Sequence, residues 1–282
     1  MNKLLLVDGH NLLFQMFFGM PNRIFNEDGK AIHGVIGFVG ALLKIIRMTR
    51  PTHVAVLFDG ECRNERKEWD ADYKANRPDY SRVPEEENPF SQLPDIYAAL
   101  SYMGITYAET RDCETDDWIS SYALTYGGEN QIVISSYDSD FFQLITDRVS
   151  VLRYRGDNTT LYTPAVVRAK LGVEPGAYAD YKSLTGDTAD NIKGAKGIGP
   201  KTAAALINRY GTLARILEEV DSIEKPSVRA AVKEAKERLL LNQKMIRLDA
   251  HVPVPASMED FAYRDEGMTT SRVLYGIGLR HT

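Results

Sequence analysis

The residues of this chain that could do chemistry are acids placed at predicted strand ends, helix starts and tight turns. There are nine of them: Asp8, Asp59, Glu114, Asp116, Asp117, Asp138, Asp140, Asp187 and Asp190. Carboxylates gathered in one place repel one another unless cations neutralise them. Hard oxygen ligands of this kind suit Mg²⁺ or Mn²⁺, so these residue types predict a divalent metal site.

Short apolar runs predict the elements that would bring these acids together. Three of the runs lead into an aspartate, and the strands are expected at 3–7, 53–58, 105–108 and 131–134. Buried parallel strands meet at one sheet edge, where open α/β sheets place ligands. Helical spacing of apolar residues is found at 34–49, at 90–103 and from Glu114 onward. This alternation predicts an α/β fold with a central, mostly parallel sheet flanked by helices.

The organisation of the chain suggests two regions that meet near residue 163. Residues 1–163 would form the α/β catalytic region, which ends in a hairpin over 149–162 that turns at Gly156. Residues 164–282 show helical patterns, including a late helix near 227–247, and no convincing strands. The two halves could still share a core.

Each acidic group also has a purely structural interpretation. Acids in a first helical turn are favoured by capping and by the helix dipole, and this could explain Glu114, Asp116 and Asp117. Asp187 and Asp190 are three residues apart and would face the same way on a helical turn, or could form a solvated helix end. Several such groups at successive strand ends are harder to explain one by one.

A glycine hairpin at 197–202 is the second candidate binding element. Gly197 and Gly199 would let backbone N–H groups approach a phosphate, and Lys201 and Thr202 open the small-residue helix that follows. A tight helix–helix turn is the structural alternative. Five bases against one acid between residues 190 and 215 favour binding of a nucleic-acid backbone, although the formal net charge of the chain is −5.

The charged segment at 60–82 lies between two strands that deliver acids. Its bases are interleaved with acids and with aromatic residues that could stack on nucleobases: Arg63, Arg66, Lys67, Lys74, Arg77 and Arg82, with Trp69, Tyr73 and Tyr80. The alternative is a solvated amphipathic helix with many salt bridges. Its position favours a mobile segment over the site.

Composition sets the broad class of protein. The chain has 282 residues, 44% hydrophobic content and two cysteines without metal-type spacing. The apolar run before Asp8 is only five residues long, too short for a signal or membrane segment. We therefore expect a cytoplasmic protein without disulfides or membrane contact.

Taken together, the motifs resemble the 5′ nuclease (flap endonuclease) superfamily, especially the 5′-nuclease domain of bacterial DNA polymerase I and its stand-alone relatives. The resemblance covers about residues 3–250 and is carried by seven motifs in order: Val7-Asp-Gly9, Phe58-Asp-Gly60, Tyr73-Lys-Ala-Asn-Arg-Pro78, Glu114-Thr-Asp-Asp117, Asp138-Ser-Asp140, Gly186-Asp-Thr-Ala-Asp-Asn191 and Gly197-Ile-Gly-Pro-Lys-Thr-Ala203. In this combination and order they form a specific signature.

The resemblance implies a nuclease that cuts 5′ ends and 5′ flaps of branched DNA with two Mg²⁺ ions, acting as a monomer. One ion would be held mainly by Asp8, Asp59, Glu114 and Asp116. The other would lie nearer Asp138, Asp140 and Asp187, with Asp117 and Asp190 ligating through water or tuning the site. Lys74 and Arg66 match the catalytic, positively charged residues of a helical arch at about 60–90. In that arch, Tyr73 and Arg77 would contact DNA. Residues 186–210 match a helix–hairpin–helix element that grips duplex DNA, often with a K⁺ ion.

The match has departures, and two other functions remain open. A family arginine is Gln15 here, and Tyr137 and Ser139 replace a glycine and a base beside the acids at 138 and 140. These changes affect the expected rate and substrate preference without removing a metal ligand. A PIN-type metal-dependent ribonuclease would not need the glycine hairpin. A non-catalytic branched-DNA binding protein would be expected to have lost acids, and all nine are present.

Overall fold

A computed structural model describes residues 2–60 and 65–279, so the predicted basic residue Arg63 lies outside the described residues. Its main feature is a six-stranded sheet with the order β3-β2-β1-β4-β5-β6. All neighbouring strands are parallel except β5 and β6, which form an antiparallel hairpin. The strands are β1 Lys3–Asp8, β2 His53–Phe58, β3 Thr106–Glu109, β4 Gln131–Ser135, β5 Val149–Arg153 and β6 Thr160–Tyr162. The predicted α/β fold and the hairpin are confirmed.

Helices cover both faces of the sheet and form most of the second half of the chain. The α-helices are α1 Gly9–Gly19, α2 His33–Thr49, α3 Glu65–Trp69, α4 Leu93–Tyr102, α5 Thr115–Tyr126, α6 Pro164–Leu171, α7 Tyr178–Thr185, α8 Pro200–Tyr210, α9 Leu213–Glu218, α10 Pro226–Glu234, α11 Lys236–Ile246 and α12 Thr270–Gly276. Short 3₁₀-helices lie at Tyr80–Arg82, Glu85–Glu87, Pro89–Gln92 and Asp140–Leu144, among others. None of the helices in the described ranges is long and apolar enough to span a membrane.

The alternation of side chains along each strand divides the core into two layers. In β1, Leu5 and Val7 pack against α1, α2, α4 and α12, whereas Leu4 and Leu6 pack against α5 and the elements that follow β4. Because successive residues of a strand point to opposite faces, an almost wholly apolar run is buried on both sides. A third core joins α7 to α11 in the helical region.

The strand order places a crevice beside Asp8. From β1 the chain passes to β2 and β3 on one side and then returns to β4 on the other. The loops leaving β1 and β4 therefore diverge, and such a topological switch point is where open α/β sheets bind ligands. Asp8 ends β1, and the loop with Asp138 and Asp140 follows β4.

The second half departs from the predictions in two places. Asp187 and Asp190 do not share a helical turn, because α7 ends before Gly186 and the two acids lie on a small hairpin of β7 Gly186–Asp187 and β8 Ile192–Lys193. The backbone of Gly186 has φ of +80°, a conformation that stops a helix and that side-chain-bearing residues rarely adopt. The late helix is two helices, α10 and α11, which meet at Ala235.

Candidate active site

Asp8 and Asp138 are connected through the hydroxyl of Ser136. The carboxylate of Asp8 accepts a hydrogen bond from that hydroxyl at 2.8 Å and another from the backbone N–H of Asn11 at 3.0 Å, which caps α1. The backbone N–H of Asp138 donates to the same hydroxyl at 3.0 Å, and its carboxylate accepts from the N–H of Asp140 at 2.7 Å. Ser136 thus fixes the two strand-end acids relative to each other.

Asp59 is held between α1 and α5. Its carboxylate accepts a hydrogen bond from the backbone N–H of Thr115 at 2.8 Å, and its backbone N–H donates to the imidazole of His10 at 3.2 Å. Burial acts to raise the pKa of Asp59, but the contacts with His10 and Thr115 outweigh it and lower the pKa. Asp59 therefore stays ionised.

The glycine after each of these aspartates is required by packing. A Cβ atom on Gly9 would lie 2.4 Å from the ring of Phe58, and one on Gly60 would lie 2.0 Å from the carbonyl oxygen of Thr110. Both distances are far below van der Waals contact, so any side chain would push the strand ends apart. The Asp-Gly pairs therefore combine a functional acid with a residue small enough to let the chain turn.

Glu114 and Asp117 are bound by buried bases from the charged segment. The guanidinium of Arg66 donates to Glu114 at 2.8 Å, to both carboxylate oxygens of Asp117 at 2.8 and 2.9 Å, and to the backbone carbonyl of Met245 at 2.9 Å. The ammonium of Lys74 lies 2.6 Å from the other oxygen of Glu114. Burial opposes the change, but these two cations lower the pKa of Glu114.

The segment around Lys74 is docked on the small hairpin rather than solvated. The N–H of Lys74 donates to the carbonyl of Asp190 at 3.0 Å, and the amide of Asn76 donates to the carbonyl of Thr188 at 3.1 Å. Arg77 forms an ion pair with the carboxylate of Asp190 at 2.9 Å. The described part of 60–82 is therefore not one amphipathic helix, because α3 is only five residues long, although most of its side chains are exposed as that interpretation expected. The role of this segment as an arch stays a prediction.

Asp187 completes the hairpin side of the site. The ammonium of Lys182, at the end of α7, lies 2.8 Å from its carboxylate. Lys182 and His10 are the contacts that the sequence analysis missed. The signal available for Lys182 was weak, since it is simply a base one turn before an acidic motif.

Four of the nine acids form no ion pair with a base in the described part of the chain: Asp8, Asp116, Asp138 and Asp140. Burial, and then the neighbouring charge of Asp59, raises the pKa of Asp8 to about 6. Burial, and then the charge of Asp138, raises the pKa values of Asp116 and Asp140 well above their usual range. Burial likewise raises the pKa of Asp138. Each of these acids thus disfavours the ionised form of its neighbours.

These acids suit a hard divalent cation. The Oδ1 atom of Asp140 is buried and has no hydrogen-bond partner among the described residues. The side-chain atoms that these acids offer to a cation are carboxylate oxygens. A cation would satisfy that oxygen and remove the repulsion. No three His, Cys, Asp or Glu side chains of the described ranges converge as a preformed ligand set. The bases paired with Glu114, Asp117, Asp187 and Asp190 account for part of this.

The glycine hairpin lies in the helical region, before α8. Gly197 has φ of +80°, and Gly199 immediately precedes the helix. No atom lies within 4 Å of where a Cβ would be on either glycine, so the backbone faces open space. Lys201 is exposed and Thr202 is half-buried in the first turn of α8. The hairpin thus presents accessible backbone beside a free helix start.

Known proteins match both halves of the chain. Residues 3–172 match the N-terminal resolvase-like domain of 5′-3′ exonucleases, and residues 173–268 match their C-terminal SAM fold. A 5′-3′ exonuclease of Bacillus subtilis is 35% identical over 266 residues, which cover 92% of this chain and 87% of that protein. A DNA polymerase I of Bacillus caldotenax is 33% identical over 94% of this chain, but the match spans only 30% of the polymerase.

The fold is also that of a solved nuclease. The bacteriophage T5 flap endonuclease, crystallised with DNA and metal ions, superposes with a TM-score of 0.72 at 24% identity, covering 88% of this chain and 90% of that one. This similarity concerns the fold alone. The family match and the stand-alone Bacillus relative together cover both the α/β and the helical region. The chain belongs to the 5′-3′ exonuclease family and is a 5′ nuclease.

Proposed function

We propose that this protein hydrolyses phosphodiester bonds at 5′ ends and 5′ flaps of branched DNA, using two Mg²⁺ ions that Mn²⁺ can replace. The observation that carries the proposal is a set of four acids at the switch point of the sheet, Asp8 and Asp140 buried and Asp116 and Asp138 half-buried, with no ion-pair partner among the described residues. Such a set needs cations to remain ionised. The T5 relative, which binds DNA and metal ions, supports the same proposal.

The proposed metal ligands are those that the family resemblance implies, except that Asp117 takes a positioning role. Asp8, Asp59, Glu114 and Asp116 would hold one ion, and Asp138, Asp140 and Asp187 the other, with Asp190 beyond them. When bound, Mg²⁺ would supply Lewis-acid chemistry that activates water and offsets the charge developing on the phosphoryl oxygens. Asp117 would act by position, because Arg66 and the N–H of Asp249 occupy its carboxylate.

The two bases of the charged segment would then have different roles. Arg66 is enclosed by protein groups and would hold Glu114 and Asp117 in place. The ammonium of Lys74 pairs with Glu114 and lies 4.8 Å from the ring centre of Tyr73, so it could turn to a phosphate once a cation neutralises that acid. We therefore assign electrostatic stabilisation of the reaction to Lys74 and positioning to Arg66.

Binding of DNA would use the segment and the glycine hairpin. Arg77 is half-exposed beside Asp190, and the ring of Tyr73 is buried with its hydroxyl donating to Glu114 at 3.2 Å, so Arg77 is the better placed of the two for a phosphate. Gly197, Gly199, Lys201 and Thr202 would bind the duplex backbone as a helix–hairpin–helix with a K⁺ ion. A monomeric, cytoplasmic enzyme remains our prediction.

The test is cleavage of labelled DNA by the purified protein. We expect a 5′-flap substrate to be cut in Mg²⁺ and to remain intact in EDTA. Blunt duplex, single-stranded DNA and a flap of the same sequence made of RNA are the comparison substrates. Faster cleavage of the RNA flap would favour a ribonuclease. Binding of the DNA flap without any cleavage in Mg²⁺ or Mn²⁺ would contradict the enzyme proposal.

Replacing Lys74 by alanine should slow the chemical step more than it weakens binding. Loss of one electrostatic stabiliser is expected to lower the single-turnover rate by about one to three orders of magnitude. The affinity for DNA should fall much less, because the ammonium acts mainly on the transition state. Lys67→Ala is the matched control, since Lys67 is an exposed lysine of the same segment. A single-turnover rate for Lys74→Ala close to that of Lys67→Ala would remove Lys74 from the site.

Replacing Lys201 by alanine should do the reverse. We expect weaker binding to duplex DNA of any sequence, and a salt dependence of log K that is shallower by about 0.9, the value for one phosphate contact. Turnover at saturating DNA should be unchanged. Lys225→Ala, which removes an exposed lysine before α10, controls for net charge. The same salt slope in both variants would argue against a phosphate contact at Lys201.

A further inference from the structure

A second group of bases borders the active site on the β5 side. Between residues 148 and 170 the chain carries five bases and one acid, although its formal net charge is −5. Three of these bases line the hairpin edge of the sheet and the start of the helical region. We call Arg153, Arg155 and Lys170 the cationic strip. Because β5 runs parallel to β4, Arg153 at its carboxyl end lies at the same sheet edge as the loop of Asp138.

Aromatic rings hold Arg153 without neutralising it. Its guanidinium carbon lies 4.7 Å from the ring centre of Phe142, 5.2 Å from that of Tyr162 and 5.8 Å from that of Tyr137. Its Nε atom is buried and has no hydrogen-bond partner in the described part of the chain. Such rings fix the orientation of a guanidinium and leave its charge in place. Arg153 therefore offers an oriented cation beside the loop that carries Tyr137 and Asp138.

The neighbouring bases extend the same surface. Arg155 is exposed. Burial raises the pKa of the Tyr137 phenol, and the charges of Arg155 and Arg153 oppose that rise. The ammonium of Lys170 lies over the ring of Tyr162 and donates a hydrogen bond to that residue's hydroxyl oxygen at 2.8 Å. No carboxylate of residues 2–60 or 65–279 forms an ion pair with Arg153, Arg155 or Lys170.

The backbone of the strip is anchored from α1. The side-chain amide of Gln15 donates to the carbonyl oxygen of Tyr154 at 2.5 Å, between the two arginines of the strip. The turn beyond it is closed by the hydroxyl of Thr159, which accepts from the N–H of Arg155 at 3.0 Å. Arg153 thus stands at the end of β5 and Arg155 on a hydrogen-bonded turn, rather than on a free loop.

From this geometry we infer that the cationic strip binds the phosphate backbone of the DNA substrate close to the scissile bond, with Arg153 and Arg155 as the contacting residues. The inference rests on the proposed function and adds a binding surface to it. A polyanion fits because the cations follow one edge, have no acidic partner within the described ranges and alternate with rings. The strip would hold the strand on the β5 side of the acids, away from the segment that carries Lys74.

The test is binding of 5′-flap DNA in Ca²⁺ or EDTA, measured over a range of salt concentrations. Arg155→Ala and Arg153→Met, which keeps an apolar stem against the rings, should each raise Kd about fivefold to tenfold, the effect of losing one hydrogen bond of ordinary strength. Each variant should also make the salt dependence of log K shallower by about 0.9. Arg155→Lys should remain close to the parent. Arg168→Ala is the control, because Arg168 is exposed on α6 and paired with Glu174.

Neutral methylphosphonate linkages placed one at a time along the DNA locate the contact. The parent should lose affinity when the contacted phosphate is neutralised, and Arg155→Ala should lose nothing further at that linkage. Parent-like affinity and salt slope for Arg155→Ala, or equal weakening by Arg168→Ala, would overturn the inference. Either result leaves flap cleavage by the parent in Mg²⁺ unaffected, so failure of the proposed function would be seen separately.

Discussion

Replacing Asp138 and Asp140 together by asparagine is expected to abolish cleavage of 5′-flap DNA while the affinity for that DNA stays similar or rises. Asp140 is buried and Asp138 is half-buried, and the Oδ1 atom of Asp140, which has no hydrogen-bond partner among the described residues, marks the place where a cation would be bound. Removing negative charge near the phosphates should favour binding. The measurements are single-turnover cleavage in Mg²⁺ and a binding titration in Ca²⁺ or EDTA.

The same double variant should reveal the metal site through stability. Asparagine at 138 can still accept the N–H of residue 140, so the loop should keep its form. Two mutually repelling charges are removed, so the free energy of unfolding in EDTA should rise, and the stabilisation that Mg²⁺ gives the parent should be lost. Asp221→Asn is the control, because Asp221 is 83% exposed and pairs with Lys233 far from the sheet edge. Full cleavage, or undiminished stabilisation by Mg²⁺, would refute the assignment of the second ion.

Replacing Arg66 by methionine is expected to lower the free energy of unfolding by about 3–5 kcal/mol, because breaking a buried ion pair leaves charges without a partner. Glu114 and Asp117 would both lose the guanidinium, and the carbonyl of Met245 would lose a donor. The measurement is denaturant unfolding in EDTA. A residue that acted only on the transition state would leave this free energy unchanged.

The matched control for Arg66 is Arg23→Met. Arg23 is 47% exposed and pairs with Glu86 and Glu87, which are also exposed, so its loss should cost less than about 1 kcal/mol. Mg²⁺ should restore part of the lost stability to the Arg66 variant, because a cation can replace the guanidinium beside Glu114. Equal destabilisation by the two variants would contradict the positioning role of Arg66.

The strands of the sheet and the positions of most of the acids follow from the amino-acid pattern. Runs such as Lys3–Asp8 and His53–Phe58 are apolar without alternation, which only a strand buried on both faces tolerates, and each ends in an acid and a glycine. Local chemistry therefore predicts both the strand and the residue that it delivers. The pattern over 149–162 predicted the β5–β6 hairpin in the same way.

The pairing of the acids with bases depends on contacts between segments that are distant along the chain. The contact of Arg66 with Asp117 joins residues 51 positions apart, and no spacing rule connects them. Docking of the segment on the 186–193 hairpin buries Lys74, although its charged surroundings in the sequence indicate a solvated helix. Burial of that kind depends on which distant surface a segment meets, so it becomes visible only when both surfaces are in place.

The small hairpin and the cationic strip also depend on contacts that the sequence pattern does not predict. The spacing of Asp187 and Asp190 fits a helical turn, but pairing of Gly186 with Lys193 across the hairpin replaces it. The bases at 153, 155 and 170 can be counted from the sequence, but their common edge follows from β5 lying beside β4 and from the rings around Arg153. Local propensity determines elements, whereas the neighbours that set a charge's environment come from non-local packing.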